Sequence, residues 1–129
     1  MLRLLDYHGR RYWLTNGWSI RFRVVGIEQS ESRPHGIKYS FTLHDVDGAR
    51  LLGFDNAHGL PHRQPYDHRH QFRKPRKLVP YDFRGADELI CDFFAAVESA
   101  CEQERVPFEF ETEEVDLDLE SDNDTEISD

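Results

Sequence analysis

Hydrophobic and polar positions alternate with a period of two through the first half of the chain, a pattern typical of strands with one buried face. Four runs show it, covering Arg10 to Leu14, Trp18 to Val24, Lys38 to His44 and Arg50 to Asp55. In the second run the apolar side chains fall on one face, and Ser and Arg fall on the other. Residues with strong turn preference, including Asn16-Gly17, separate the runs. The pattern predicts an antiparallel meander of about four strands with one polar face.

The period changes to 3.6 between about Ala86 and about Glu104, which predicts a helix. Its apolar residues follow the i, i+3, i+4, i+7 spacing of a single stripe: Leu89, Ile90, Phe93, Phe94, Val97, Ala100 and Cys101. This helix is the only predicted element long enough to cover the apolar face of the sheet. We therefore expect an α+β fold in which one long C-terminal helix packs on the meander.

Neither period is found between Asn56 and Pro80, and we predict a long loop there. Four prolines in the segment argue against a helix or a central strand. The segment holds four of the seven histidines and six basic residues, Arg63, Arg69, Arg73, Lys74, Arg76 and Lys77. Long loops carried by a rigid sheet often contain the functional residues. The chemistry of this chain is therefore expected in this His/Arg-rich loop.

Acidic residues are concentrated at the C-terminal end. The formal net charge is −9, but residues 109–129 contain eleven acidic residues and no Lys or Arg, which leaves residues 1–108 with 14 acidic and 16 basic residues, a net charge of +2. We expect a single domain over 1–108 and an acidic tail over 109–129, with one further edge strand from Phe108 to Glu111. Such a tail is typical of a solvated, disordered segment. The alternative is a tail that folds over the basic loop and mimics a nucleic acid.

The loop residues fit metal-free cleavage of RNA. RNA supplies its own nucleophile, the 2′-hydroxyl, so the protein needs a general base, a general acid and cations. Histidine serves both proton-transfer roles near neutral pH. If residues 68–70 are extended, His68 and His70 lie on one face about 6.6 Å apart, twice the strand rise. Arg63 and Arg69 could hold the phosphate, and Tyr66 could stack on a base.

Three other interpretations of the loop remain open. The His-x3-His spacing at 58 and 62 and the His-x-His spacing at 68 and 70 could ligate a metal ion. Gly59 and Pro61 oppose a helical metal site, and so do the neighbouring cations. The loop could instead be solvated surface. It could also belong to a non-catalytic module that binds nucleic acid or an acidic protein.

Several segments also resemble the TumE-type toxins of bacterial toxin–antitoxin pairs. The resemblance extends over about residues 10–104, and its motifs are Phe54-Asp55-Asn56-Ala57-His58, His68-Arg69-His70, Pro80-Tyr81-Asp82-Phe83 and the run from Asp87 to Phe94. It implies a strand-rich N-terminal half, a His/Arg/Lys-rich loop and a closing helix. It also implies RNA cleavage, silenced by an antitoxin that carries a helix-turn-helix domain.

Together these observations favour a toxin-like endoribonuclease that requires no cofactor. The candidate catalytic residues are His58, His62, His68, His70 and Asp55. The candidate nucleic-acid-binding residues are Arg63, Tyr66, Arg69, Arg73, Lys74, Arg76 and Lys77. The expected partners are RNA and the cognate antitoxin, and a homodimer is left open. We expect a cytoplasmic protein without a membrane span, because no apolar run approaches about 18 residues and the first residues do not resemble a secretory signal.

Overall fold

The computed structural model describes residues 4–26, 28–29, 36–56 and 67–115. Within these ranges the chain forms one seven-stranded antiparallel sheet and one α-helix, so the fold is α+β. A short 3-10 turn, Leu4–Tyr7, comes first. The strands are β1 (Arg10–Leu14), β2 (Ser19–Gly26), β3 (Ile37–His44), β4 (Arg50–Asp55), β5 (His68–Gln71), β6 (Lys74–Pro80) and β7 (Phe110–Val115), and the helix is α1 (Ala86–Glu104).

The first four strands and the helix confirm the periodicity analysis, but the predicted number of strands is too low. β5 and β6 lie in the segment that was predicted to be a loop. The prolines argued against a strand, but β6 is an edge strand and has only one neighbouring strand, β5. Pro75 and Pro80 are tolerated there, because on its other side the strand has no partner with which a hydrogen bond could be lost. In β5 the buried positions of the period-two pattern are His68 and His70, so no apolar alternation is visible.

The strand order is β6-β5-β4-β3-β2-β1-β7. β1 to β5 each pair with the next strand along the chain, as a meander requires, and β7 closes the other edge by pairing with β1. The predicted edge strand after the helix is therefore present, beginning at Phe110. Its residues belong to the segment that the charge pattern assigned to the acidic tail.

Helix α1 packs on the centre of the sheet. Its 19 residues span about 28 Å, close to the roughly 27 Å of an eight-residue strand. Phe93 contacts Phe22, Phe41 and Phe54, with ring centroids 5.5–5.7 Å apart. These buried rings join the helix to β2, β3 and β4, as the apolar stripe predicted. In the described part of the chain no helix is long and apolar enough to cross a membrane.

The strand register determines which residues point away from the helix. Phe22, Phe41 and Phe54 are direct cross-strand partners and all face α1. Successive residues of a strand point to opposite faces, so the next row, Arg23, Ser40, Asp55 and His68, lies on the opposite side of the sheet. We call this side the far face.

Candidate functional site

Asp55, His68 and His70 meet on the far face, where β4 pairs with β5. Asp55 Oδ1 lies 2.8 Å from His68 Nε2, and Asp55 Oδ2 lies 3.3 Å from His70 Nε2. The register explains the first contact, because Asp55 and His68 are direct partners across the two strands. His70 follows two residues later and therefore points to the same face. Its ring centroid is 5.4 Å from that of His68.

This cluster is buried. His68 has no exposed surface, Asp55 is 3% exposed and His70 is 7% exposed. Burial alone would raise the pKa of Asp55, but its contacts with His68 and His70 outweigh that effect and hold the pKa well below the usual range. The carboxylate is therefore ionised near neutral pH. Of the two imidazoles, His70 is the one with surface accessible to a substrate.

A buried amide fixes the position of the carboxylate. Asn56 follows Asp55, and its Oδ1 accepts a hydrogen bond of 2.9 Å from the backbone N–H of Tyr39. Its Nδ2 donates a 2.9 Å hydrogen bond to the carbonyl of Ile37. Asn56 thus ties the end of β4 to β3 through side-chain hydrogen bonds. The Asp-Asn pair is visible in the sequence, but the positioning role of Asn56 is not.

A second buried acid lies on the helix side of the same strands. The Tyr39 hydroxyl donates a hydrogen bond of 2.8 Å to Asp67, the residue before β5. Burial and the neighbouring Asp67 carboxylate raise the pKa of Tyr39 far above its usual value, so the phenol remains a donor. This contact connects β3 to the start of β5 and helps to align His68 with Asp55.

The far face also carries arginines that sequence analysis did not select. Arg21 pairs with Thr42, Thr42 with Gly53, and Gly53 with His70, so one row across the sheet joins Arg21 to the cluster. Arg11 extends the row, because it is the partner of Arg21 on β1. The available signal was the Ser/Arg face of β2, which the alternation had already shown to be polar.

His44 lies among these arginines and was also missed. Its Nδ1 is 3.1 Å from the Gly48 carbonyl, which can only accept, so Nδ1 carries the proton. The Thr42 hydroxyl therefore donates to Nε2 across 2.8 Å. Burial lowers the pKa of His44, and the charges of Arg21, Arg50 and Arg11 lower it further, while the contact with Gly48 opposes the shift. His44 is therefore held in its neutral form mainly by burial, with Arg21, Arg50 and Arg11 nearby.

The predicted nucleic-acid-binding residues of β5 and β6 are not gathered in one place. Arg69 is exposed and points to the opposite face from His68 and His70, because it lies between them on the strand. Arg73 forms a bidentate ion pair with Glu104 at the end of α1, with both distances 2.8 Å. The exposed Lys74, Arg76 and Lys77 lie along the edge strand β6.

A cleft of about 640 Å³ lies between β4–β6 and α1. Phe54, Phe72 and Tyr81 give it an aromatic lining, and residues 69–71 and Lys74 form its margin on the sheet. The Tyr81 hydroxyl donates a hydrogen bond of 2.7 Å to Asp92 on the helix. The cleft therefore adjoins the strand that carries His68 and His70 and offers flat apolar surfaces beside polar groups.

The remaining candidates, His58, His62, Arg63 and Tyr66, lie outside the described residues. The described part of the chain contains one group of at least three His, Cys, Asp or Glu side chains that could hold a metal ion, formed by Asp55, His68 and His70. Their ligand atoms all lie within 4.8 Å of one another. The same three groups can hold and transfer a proton. The geometry of the cluster is thus compatible with two kinds of chemistry.

These features define a class of small α+β proteins in which one helix covers a broad antiparallel sheet and a buried Asp–His–His cluster lies on the other face. The family model for Toxin TumE matches residues 14–100, so the chain belongs to the TumE toxin family. This confirms the resemblance seen in the sequence. Membership indicates a toxin of a toxin–antitoxin system and implies a cognate antitoxin as its partner. No curated protein and no solved structure matches the chain.

Proposed function

We propose that this toxin is a metal-independent endoribonuclease whose active site is built on Asp55, His68 and His70. The observation that carries the proposal is the convergence of the two imidazoles on one buried carboxylate. Perturbed, buried ionisable groups of this kind are concentrated at functional sites. The arginines of the far face supply the positive charge that a phosphodiester substrate requires.

The proposed reaction is transfer of the phosphoryl group to the RNA's own 2′-hydroxyl. A base removes the 2′-proton while the 2′-oxygen forms a bond to phosphorus, and the bond from phosphorus to the 5′-oxygen breaks. A proton goes to that 5′-oxygen, so the products are a 2′,3′-cyclic phosphate and a 5′-hydroxyl. Two proton transfers are needed, and histidine can perform each near neutral pH.

The structure suggests different roles for the two histidines. His70 is 7% exposed, whereas His68 has no exposed surface, so His70 is the better candidate for proton exchange with RNA. His68 has no exposed surface and acts as a positioning residue that holds Asp55. Because Nε2 of each ring is held at Asp55, His70 would exchange its proton through Nδ1. In place of the pair His68 and His70 that the sequence suggested, we propose that His58 or His62, which are also candidate catalytic residues, performs the second proton transfer.

The experiment is cleavage of a defined RNA by the purified toxin, with and without EDTA. We expect cleavage to survive EDTA, to show a bell-shaped pH profile, and to leave cyclic phosphate ends. RNA carrying 2′-O-methyl groups should not be cut, because its nucleophile is blocked. Equal cleavage of the 2′-O-methyl strand would contradict the mechanism.

A metal-dependent nuclease is the second candidate, and the closeness of three ligand atoms favours it. Two imidazoles and one carboxylate would leave coordination positions for water, which a bound metal ion activates as a nucleophile. Activity that disappears with EDTA and returns with zinc or manganese would establish this alternative. Binding that weakens with salt and is never followed by cleavage would instead indicate a non-catalytic module.

A further inference from the structure

We propose that single-stranded RNA crosses the far face at right angles to the strands, from His70 past Arg21 to Arg11 and Trp13. This inference rests on the proposed function, because it names the path by which an RNA substrate reaches the Asp55 cluster. It concerns residues of β1 and β2, which lie outside the His/Arg-rich segment that the sequence singled out. We call the residues of this path the far-face track.

The register makes the track continuous. Arg11, Arg21, Thr42, Gly53 and His70 occupy successive strands as direct partners. With strands about 4.8 Å apart, Arg21 lies about 14 Å from His70 along the row, and Arg11 lies about 19 Å from it. A row of this length can hold several nucleotides, with phosphates at the arginines and the scissile bond at His70.

Gly53 lies next to His70 in this row. It is the one position in the row without a side chain, and it lies between Thr42 and His70. A Cβ at this position would lie 3.3 Å from both the Phe41 carbonyl oxygen and Thr42 Cγ2, so the backbone of Gly53 packs closely against β3. A glycine in a strand often marks a place where a ligand or another stretch of backbone approaches closely.

The charge of the row suits a polyanion. Arg21 is exposed, and Arg11 and Arg23 are half-buried. Asp55, the acid at the other end, is engaged by two histidines. Glu114 of β7 is the partner of Arg11 and places a negative charge beyond it, so the track ends at β1.

Trp13 provides a surface for stacking at the end of the track. It is half-buried and lies two residues after Arg11, so both side chains are on the far face. The Arg11 guanidinium lies 5.6 Å from the centre of the Trp13 ring. An aromatic ring next to cations is the usual arrangement for binding a base of single-stranded nucleic acid. The other tryptophan, Trp18, is buried in the core and 5% exposed.

The test measures binding apart from cleavage, with the full-length toxin and a 2′-O-methyl RNA that cannot be cut. Tryptophan emission should be quenched on binding, and Trp13→Phe should abolish that quenching while Trp18 still emits. Arg21→Gln and Arg11→Gln should each weaken binding at least about threefold and reduce the slope of log K against log salt by about 0.7, one phosphate contact. The matched control is Arg105→Gln, an exposed arginine at the end of α1.

The outcomes separate this inference from the proposed function. If the wild type cleaves RNA but Arg21→Gln binds like Arg105→Gln, the track is wrong and the nuclease proposal stands. If the two arginine variants bind weakly and the wild type never cleaves, the track stands and the nuclease proposal fails. Arg21 is exposed, so its replacement should leave the thermal unfolding midpoint unchanged. Emission that stays constant at saturating RNA would also overturn the track.

Discussion

Asp55 and His68 face each other as direct partners across β4 and β5, and Asp55 Oδ1 lies 2.8 Å from His68 Nε2 with both side chains buried. A buried carboxylate that loses its partner is left as an uncompensated charge, which is strongly destabilising. The same contact therefore links the stability of the sheet to the chemistry proposed for this site.

Replacement of the carboxylate by an amide, Asp55→Asn, should reduce both stability and activity. We expect a loss of about 3 kcal/mol in the free energy of unfolding and at least a 100-fold loss in RNA cleavage rate, the usual scale for proton-transfer groups. Urea unfolding and a cleavage assay below the unfolding transition measure the two effects. Asp82→Asn, at an exposed position, is the control and should change neither.

The stabilising effect of Asp55 should depend on pH. Its pKa is lower in the folded protein than in the unfolded chain, so the stabilisation is present above about pH 3.9 and is lost as pH falls further. The difference in unfolding free energy between the wild type and Asp55→Asn should thus be largest near neutral pH and shrink at pH 3. A difference that stays constant over this range would show that the carboxylate is not held in its charged form.

The two histidines should respond differently to glutamine, whose amide nitrogen can replace Nε2 as a donor to Asp55. His70→Gln keeps that contact but cannot exchange a proton, so cleavage should fall at least about 100-fold with little change in stability. His68→Gln should keep most of the activity, since a positioning role needs only the donor. His68→Ala should destabilise the protein, because it removes a fully buried side chain. If His68→Gln is as inactive as His70→Gln, His68 takes part in proton transfer.

Asn56→Ala should destabilise the sheet near the candidate site. It leaves the Tyr39 amide and the Ile37 carbonyl without their side-chain partner, and each lost buried hydrogen bond costs about 1–3 kcal/mol. The rate of RNA cleavage should also fall, because Asn56 holds the end of β4, where Asp55 lies. Asn16→Ala, in the first hairpin turn, is the comparison and should leave cleavage unchanged. Hydrogen exchange of the β3 amides would localise the effect.

Removal of residues 116–129 should strengthen RNA binding. The deletion removes seven acidic residues and no basic ones, changing the formal net charge from −9 to −2. Less repulsion and less competition for the arginines should raise affinity at low salt. A longer deletion, after Phe110, also removes most of β7 and should lower the thermal unfolding midpoint, because β1 loses its partner. Unchanged affinity of the shorter deletion would show that the acidic residues do not compete with RNA.

Local periodicity was enough to predict the first four strands and α1, since each depends on which side chains of one segment can share a face. It failed for β6, whose prolines are compatible with a strand only at the edge of a sheet. Whether a strand lies at an edge is decided by its neighbours, and a single segment contains no such information.

In the candidate site, too, some features follow from the local sequence and others depend on which strands pair. Their spacing alone predicted that His68 and His70 would share a face once the segment became extended. That Asp55 lies between them was decided by the pairing of β4 with β5, and the row from His70 to Arg21 was decided by two further pairings. Register between strands depends on long-range hydrogen bonds and on burial of one face of the whole sheet. These forces act only when the strands are assembled, so tertiary structure brought the arginines of β1 and β2 to the histidines of β5.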